Sequence, residues 1–260
     1  MYKGFNLNIQ FDKTELNNFY KIGKEQFVKN QNIANTTLQN LLFTTGRVNG
    51  SKMQNDWFPQ VETDVFISHS HYDLDTAIKL AGYLKSIFGL KVFVDSCIWG
   101  NSKDLLKIID DKFCLQPEGN YYDYNKRNLS TSHVHMMLST ALNMMIDKTE
   151  CLFFINTPKS ISTSGIINST ESPWIYAEIT MSKLIRKKKL NEYRREGTKM
   201  FSKGGMAGPL LESFEYELDL NHLTEIDRNS LINWEKEYSE SKIKYPLDIL
   251  YKHNHSPKYA

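Results

Sequence analysis

The fold of this chain is set by residues 64–95, which read DVFISHSHYDLDTAIKLAGYLKSIFGLKVFVD. The run at 64–68 is short, apolar and β-branched, as expected of a strand that is buried on both faces. A helical stripe of apolar residues follows it and ends at Gly89, and residues 91–95 form a second apolar run. Strand, helix and strand within about thirty residues make a βαβ unit, which predicts a parallel sheet with right-handed crossovers.

The rest of the chain continues this alternation. A helix is predicted from Ser132, and residues 151–155 form a third buried strand. Ser172 is a natural N-cap, and Pro173 stands at the favoured first position of the helix that follows. Residues 214–220 alternate between apolar and acidic side chains, which predicts an edge strand with one wet face.

The sequence therefore predicts one α/β core with extensions on either side. We expect a three-layer sandwich around a central, mainly parallel sheet over residues 61–222. Residues 1–60 are interpreted as a helical N-terminal extension, and residues 223–260 as a helical tail with a helix at about 224–238. The polar, tyrosine-rich segment 116–132 is expected to be a long loop or an insertion.

Composition argues against several classes of function. A net charge of +2 provides no field that would attract nucleic acid or an anionic membrane. No apolar run approaches the ~20 residues that cross a bilayer, and the N-terminus lacks the apolar segment of a signal peptide. The three cysteines are scattered and have no CxxC spacing, which favours a reducing compartment. We expect a cytoplasmic protein with neither a membrane nor a nucleic acid as its partner.

Candidate ligand-binding segments follow from the predicted sheet. Ligands of open parallel sheets bind beyond the carboxyl ends of the strands, where this chain has residues 68–71, 95–100 and 156–158 and the helix start at Ser172. Within the second of these segments, Trp99 could stack on a heteroaromatic ligand. The other interpretation, a ring that anchors the loop in the core, is the more frequent role of such a residue.

Two residues on the predicted helix after Ser172 form a second candidate feature. Trp174 and Glu178 are four positions apart, so they share a helix face that is otherwise apolar. Because burying an unpaired carboxylate is costly, Glu178 is expected either to have a partner or function, or to reach solvent at the edge of the stripe.

Three motifs resemble bacterial TIR (Toll/interleukin-1 receptor) domains. DVFISHSHYD resembles their first strand and following loop, KVFVDS their second strand and BB loop, and SPWIYAEI the helix whose Trp-x-x-x-Glu carries the catalytic glutamate of NAD⁺-consuming members. The motifs stand in the family's order within residues 61–222. The chain resembles stand-alone bacterial TIR proteins of the Thoeris-like, anti-phage type, and the resemblance implies the flavodoxin-like TIR fold.

The same resemblance implies an enzyme that cleaves NAD⁺ between ribose and nicotinamide, with NAD⁺ as substrate and with no cofactor or metal. Glu178 would be the catalytic residue. The residues expected to bind the substrate are Ser68, His69, Asp95, Trp99 and Trp174. The product would be ADP-ribose, a cyclic isomer or a conjugate, which either signals to a separate effector protein or accompanies NAD⁺ depletion. Self-association through TIR surfaces is expected.

Two other functions are compatible with the sequence. A non-catalytic TIR module would act by association alone, although adaptors need not keep the Trp-x-x-x-Glu pair. A metal-dependent hydrolase could use the pairs His69/His71 and His133/His135, but each pair straddles the end of an element, where side chains diverge. His133 or His135 could instead line a substrate pocket, since the polar residues before them are predicted to open a helix.

Overall fold

The computed structural model describes residues 1–8, 17–25, 27, 49–99, 102–117, 121–164, 167–194 and 215–254. The strands are β1 (Lys3–Leu7), β2 (Val65–Ser68), β3 (Val92–Phe93), β4 (Cys151–Ile155), β5 (Ser162–Ser164), β6 (Ile167–Thr170), β7 (Tyr216–Glu217) and β8 (Thr224–Ile226). Five of them form one parallel sheet in the order β3-β2-β4-β1-β8. The other three form a small antiparallel sheet in the order β5-β6-β7.

Helices cover the parallel sheet. They are α1 (Gly50–Trp57), α2 (Leu74–Phe88), α3 (Asp95–Ile98), α4 (Ser102–Phe113), α5 (Tyr124–Lys148), α6 (Pro173–Leu184), α7 (Leu190–Tyr193), α8 (Arg228–Glu240) and α9 (Pro246–His253). Residues 17–25 are also helical. The predicted α/β class, a flavodoxin-like three-layer sandwich around a parallel sheet, is confirmed. Within the described ranges, no helix has the length and apolar character that a membrane crossing needs.

The βαβ unit predicted from residues 64–95 is β2, α2 and β3. All four residues of β2 are buried, as are all five of β4, because helices lie on both faces of the sheet. Gly89 ends α2 with a left-handed φ of 68°, a conformation that glycine adopts without a steric penalty. The buried residues of these elements form one continuous apolar core.

The N-terminal residues depart from the predicted helical extension. Residues 17–25 and 50–57 are helical, whereas Lys3–Leu7 is a strand of the central sheet, between β4 and β8. The helical interpretation was wrong there because five residues are too few to show a period, and the strand is stabilised only by its distant neighbours. Residues 28–48 lie outside the described ranges.

The C-terminal part differs from prediction in two ways. Tyr216–Glu217 pairs with β6 in the small antiparallel sheet and is not an edge of the parallel one. That edge is Thr224–Ile226, where a helix was predicted; the helix itself starts at Arg228, because the Asp227 side chain accepts a hydrogen bond from Ser230 N.

The segment predicted as a loop or insertion at 116–132 is largely helical. Helix α5 starts at Tyr124, because the Asp123 side chain accepts a hydrogen bond from Lys126 N (2.9 Å) and caps the helix. The sequence interpretation began this helix at Ser132, where its apolar stripe becomes regular.

Two contacts outside the sheet bear on stability. The helical residues 17–25 lie directly on α2, so closely that a Cβ added at Gly82 would lie 2.0 Å from the carbonyl oxygen of Phe19. Near the start of β4, Arg194 donates hydrogen bonds to both carboxylate oxygens of Glu150 (2.6 and 2.9 Å) and to Asp248 (2.5 Å). This bidentate ion pair ties the end of α7 to β4 and α9.

Candidate functional site

The candidate site lies between β2 and β4, at the carboxyl edge of the parallel sheet. From β2 the chain crosses outward to β3 on one side, whereas β1 and β8 lie beyond β4 on the other side. Neighbouring strands whose connections leave in opposite directions open a crevice at their carboxyl ends. Ser68 is the last residue of β2 and stands at this point.

Glu178 reaches the same point from helix α6. The helix starts as predicted, with the Ser172 side chain accepting a hydrogen bond from Ile175 N (3.3 Å) and with Pro173 in its first turn. Glu178 is only 4% exposed, and its Oε2 accepts a hydrogen bond of 2.5 Å from Ser68 Oγ. The sequence was compatible with either a partnered or a solvent-exposed Glu178. In the structure the carboxyl group is buried, and Ser68 is its partner.

The electrostatics of Glu178 are unfavourable for its charged form. Burial raises the pKa of the Glu178 carboxyl well above its usual range, and the neighbouring negative charge of Asp95 raises the pKa further. The hydrogen bond from Ser68 acts in the opposite direction, because it stabilises the ionised carboxylate. No cation is among these causes. Within the described residues, this buried carboxyl group therefore has a second carboxylate beside it and no positive charge that lowers its pKa.

The loops after β2 and β3 lie beside this pair. Asp95 is the first residue of the short helix α3 and is separated from the end of β3 by one residue. It therefore lies at the carboxyl end of this strand, as the sequence predicted. Ser96 Oγ and His69 Nε2 lie 3.3 Å apart within hydrogen-bond distance, so the two loops touch. His69 Nδ1 is buried and has no hydrogen-bond partner. Ser68, Asp95 and Glu178 thus come together, with His69 in the adjoining loop.

Trp174 lies one helical turn before Glu178 and is half-buried. The ring of His135, on α5, meets the Trp174 ring edge to face, with centroids 5.8 Å apart. Burial lowers the pKa of His135, so its ring is held neutral at physiological pH. His133, two residues earlier, is exposed.

Trp99 does not join these residues. It is 3% exposed, its indole N–H donates to the carbonyl oxygen of Pro59 (2.9 Å), and its ring packs against Phe58 and Phe93 at centroid distances of 5.4 and 4.9 Å. Of the two interpretations of Trp99, the structure therefore favours the loop anchor, because the ring has neither a free face nor a free donor for a ligand.

A second feature of the same edge is a polar cleft of about 720 Å³ beyond β4, β1 and β8. The predicted ligand-binding segment 156–158 lines it, whereas sequence reasoning missed the residues that β1 and β8 contribute. Most of its polar lining residues are asparagines, and the cleft is named here the amide cleft. Its asparagines are Asn6, Asn8, Asn156, Asn168 and Asn221. The signal was present in the sequence as a single Asn between Phe5 and Leu7, but it has meaning only if residues 3–7 are a strand.

The amide cleft and Glu178 lie on one face of the sheet. Across four neighbouring strands, Glu225, Asn6, Phe154 and Ser68 stand side by side in register. Residues in register on parallel strands direct their side chains to the same face, and two strand spacings put the Cα atoms of Asn6 and Ser68 roughly 10 Å apart.

Among the residues that the structure describes, no group of three or more His, Cys, Asp or Glu side chains is arranged to hold a metal ion. The three cysteines are free and buried. Comparisons of this chain with protein-family models, with curated proteins and with solved structures gave no match.

Proposed function

We propose that this chain is a TIR-type enzyme that cleaves NAD⁺ between ribose and nicotinamide, with Glu178 as its catalytic residue. The observation that carries the proposal is the buried Glu178 carboxyl, hydrogen-bonded to Ser68 and facing the charge of Asp95 at the crevice between β2 and β4. The choice of substrate rests on the resemblance to TIR domains, since each of the three motifs contains one of these residues.

The charges of the site suit the chemistry of this bond. The glycosidic bond breaks with its electron pair moving to the pyridinium nitrogen, so nicotinamide leaves as a neutral molecule without acid assistance. Positive charge then builds on the ribose ring. Attack by water on the anomeric carbon gives ADP-ribose and a proton. Attack by a hydroxyl of the same ADP-ribosyl group or of another acceptor gives a cyclic or conjugated form and likewise releases a proton. A carboxylate in a dry site stabilises that developing charge most strongly in the transition state.

The substrate would also supply a positive charge, which is not among the influences on Glu178 from the described residues. The nicotinamide ring of NAD⁺ carries a positive charge, and its arrival beside Glu178 and Asp95 would lower the pKa of the Glu178 carboxyl. Ser68 would then hold one carboxylate oxygen in place and leave the other for the ribose hydroxyls. We assign His69, Asp95 and Trp174 to the substrate-binding walls of this site, and we do not include Trp99.

The biological setting is part of the same proposal. We place the reaction in the cytoplasm, where three unpaired cysteines are stable. The ADP-ribose product or a derivative of it would signal to a separate effector protein or mark NAD⁺ depletion during anti-phage defence. Self-association through TIR surfaces would accompany activity.

The test is NAD⁺ consumption by the purified protein at high concentration, with the products resolved by mass. Glu178→Gln keeps an acceptor for Ser68 and removes the charge, and we expect it to lower turnover by on the order of 10²-fold or more. Glu171→Gln, the same change at an exposed glutamate just before α6, is the matched control and should retain activity. Undiminished turnover in a folded Glu178→Gln variant would remove Glu178 from catalysis.

The alternative, a TIR module that acts only by association, gives the opposite pattern. It predicts no NAD⁺ consumption by either form at any protein concentration, together with the same self-association in the wild type and in Glu178→Gln.

A further inference from the structure

The amide cleft contains a buried polar atom that folding alone does not explain. Asn6 is 4% exposed, lines the cleft, and its Oδ1 has no hydrogen-bond partner. Buried amide oxygens are almost always paired, and an unpaired one destabilises the folded state. Asparagine is also unfavourable inside a strand. In a residue that lines a cleft, such a cost is removed when a ligand donor pairs with the acceptor.

The lining of the cleft restricts the chemistry of that ligand. Five asparagines line it, a residue type whose side-chain amide can both donate and accept hydrogen bonds. The only charged lining residue is Glu225, and neither lysine nor arginine lines the cleft within the described chain. Lys159, in the adjoining loop, lies 3.9 Å from the buried Asp73. Glu225 would repel a phosphate or a carboxylate, whereas the asparagines can form hydrogen bonds with a neutral group that carries hydroxyls.

The lining of the cleft also includes apolar residues. Pro158, Ile161, Leu220 and Leu223 line it, and they offer a surface for a flat ring. A cleft of about 720 Å³ exceeds what a single sugar ring would fill and lies in the usual range for small-molecule sites. Glu225 stands in register beside Asn6, so a carboxylate and an amide are adjacent, which suits two vicinal hydroxyls.

We infer that the amide cleft binds a neutral nucleoside. The vicinal ribose hydroxyls pair with Glu225 and Asn6, and the base lies against the apolar wall, with its polar edge on the remaining amides. The inference does not depend on the proposed reaction, because the cleft shares no lining residue with the Glu178 site. Nucleoside binding and NAD⁺ cleavage can therefore succeed or fail separately.

The test is calorimetric titration of the whole chain with three probes. Adenosine should bind; dideoxyadenosine, which lacks the vicinal hydroxyls, should bind at least about 10-fold more weakly, as expected for lost hydrogen bonds. AMP, which adds a phosphate, should bind no more tightly than adenosine. Absence of adenosine binding at millimolar concentration, or equal binding of adenosine and dideoxyadenosine, would overturn the inference. Tighter binding of AMP would overturn the assignment to a neutral ligand.

Variants identify the cleft as the binding site. Asn6→Leu should weaken adenosine binding at least about 10-fold and leave the melting temperature unchanged or higher, because it removes an unpaired buried oxygen. Asn229→Leu, the same change on the exposed surface of α8, is the matched control and should bind adenosine normally. If Asn6→Leu does not fold, Asn221→Ala at the exposed rim replaces it, with a loss of affinity expected. Unchanged adenosine affinity in a folded cleft variant would place the nucleoside elsewhere.

Discussion

The buried carboxyl of Glu178 makes the stability of this protein depend on pH in a way that one substitution removes. In the folded state the pKa of Glu178 is raised well above its ordinary value of 4.5, by burial first and by Asp95 second. The folded state therefore holds a proton at Glu178 that the unfolded chain releases. The contribution of this group is fully present below the unfolded pKa, and it is lost as the pH rises towards the folded pKa.

The magnitude follows from linkage. While the folded protein holds that proton and the unfolded chain does not, the free energy of unfolding falls by about 1.4 kcal/mol per pH unit relative to a chain without the group. Glu178→Gln has the same shape and still accepts the hydrogen bond of Ser68. As the pH rises above the unfolded pKa, its advantage over the wild type should therefore widen at up to this rate until the pH reaches the folded pKa of Glu178.

The assay is urea unfolding of both proteins at closely spaced pH values, with Glu171→Gln as the exposed control. The difference between wild type and Glu178→Gln should grow steadily with pH, and any break in that growth marks the folded pKa of Glu178. The control should run parallel to the wild type. Parallel curves for wild type and Glu178→Gln across the whole range would refute the reasoning, since the carboxyl would then have the same pKa in both states.

Three further perturbations test other parts of the structure. Gly82→Ala should lower the free energy of unfolding by about 1–3 kcal/mol in urea titrations, because the new Cβ meets the Phe19 carbonyl oxygen and a helix must move. Arg194→Met should cost about 3–5 kcal/mol at neutral pH, since it leaves Glu150 buried without its cation; an unchanged urea midpoint would contradict this. Burial and then Lys187 lower the pKa of His222 to about 4, so the neutral ring is favoured on folding and stability is lost as the pH falls from 6.5 towards 4. Because this ring is only half-buried, the wild type should lose ~1–2 kcal/mol more than His222→Gln over that range, and equal losses would count against it.

The elements that the sequence predicts well are those whose evidence is local. A full βαβ unit stands within residues 64–95, and a serine before Pro173 marks a helix start that needs no distant partner. Lys3–Leu7 and Thr224–Ile226 are strands of five and three residues, too short to show a period. Their conformation depends on pairing with each other and with β4, and the paired residues are far apart in the sequence. A local sequence pattern therefore does not predict it.

The candidate site divides in the same way. Glu178 and Ser68 were both singled out, but their hydrogen bond joins residues 110 positions apart, and neither motif predicts it alone. Trp99 shows the limit of assigning function by position, because residues after a strand can turn into the core as easily as towards a ligand. Asn6 cannot be recognised from the sequence, because a polar residue is expected in an extension and becomes unusual only in a strand of the central sheet.

The amide oxygen of Asn6 and the carboxyl of Glu178 together favour a ligand-binding role for this edge of the sheet. The core around the strands is apolar, and a sequence selected for stability alone would place a leucine at Asn6 and an uncharged residue at Glu178. Both groups instead carry a cost of burial, one as an unpaired acceptor and the other as a carboxyl with a raised pKa. Both groups also lie on the same face of the sheet. Asn6 is in register with Phe154 and Ser68 across β1, β4 and β2, and Glu178 is hydrogen-bonded to Ser68. Insertion of β1 beside β4 is what brings Asn6 into that row. If this cost is borne for ligand binding, neither Asn6→Leu nor Glu178→Gln should lower stability at neutral pH, while Asn6→Leu weakens nucleoside binding and Glu178→Gln lowers turnover of NAD⁺. A purely structural role for either residue does not produce this combination.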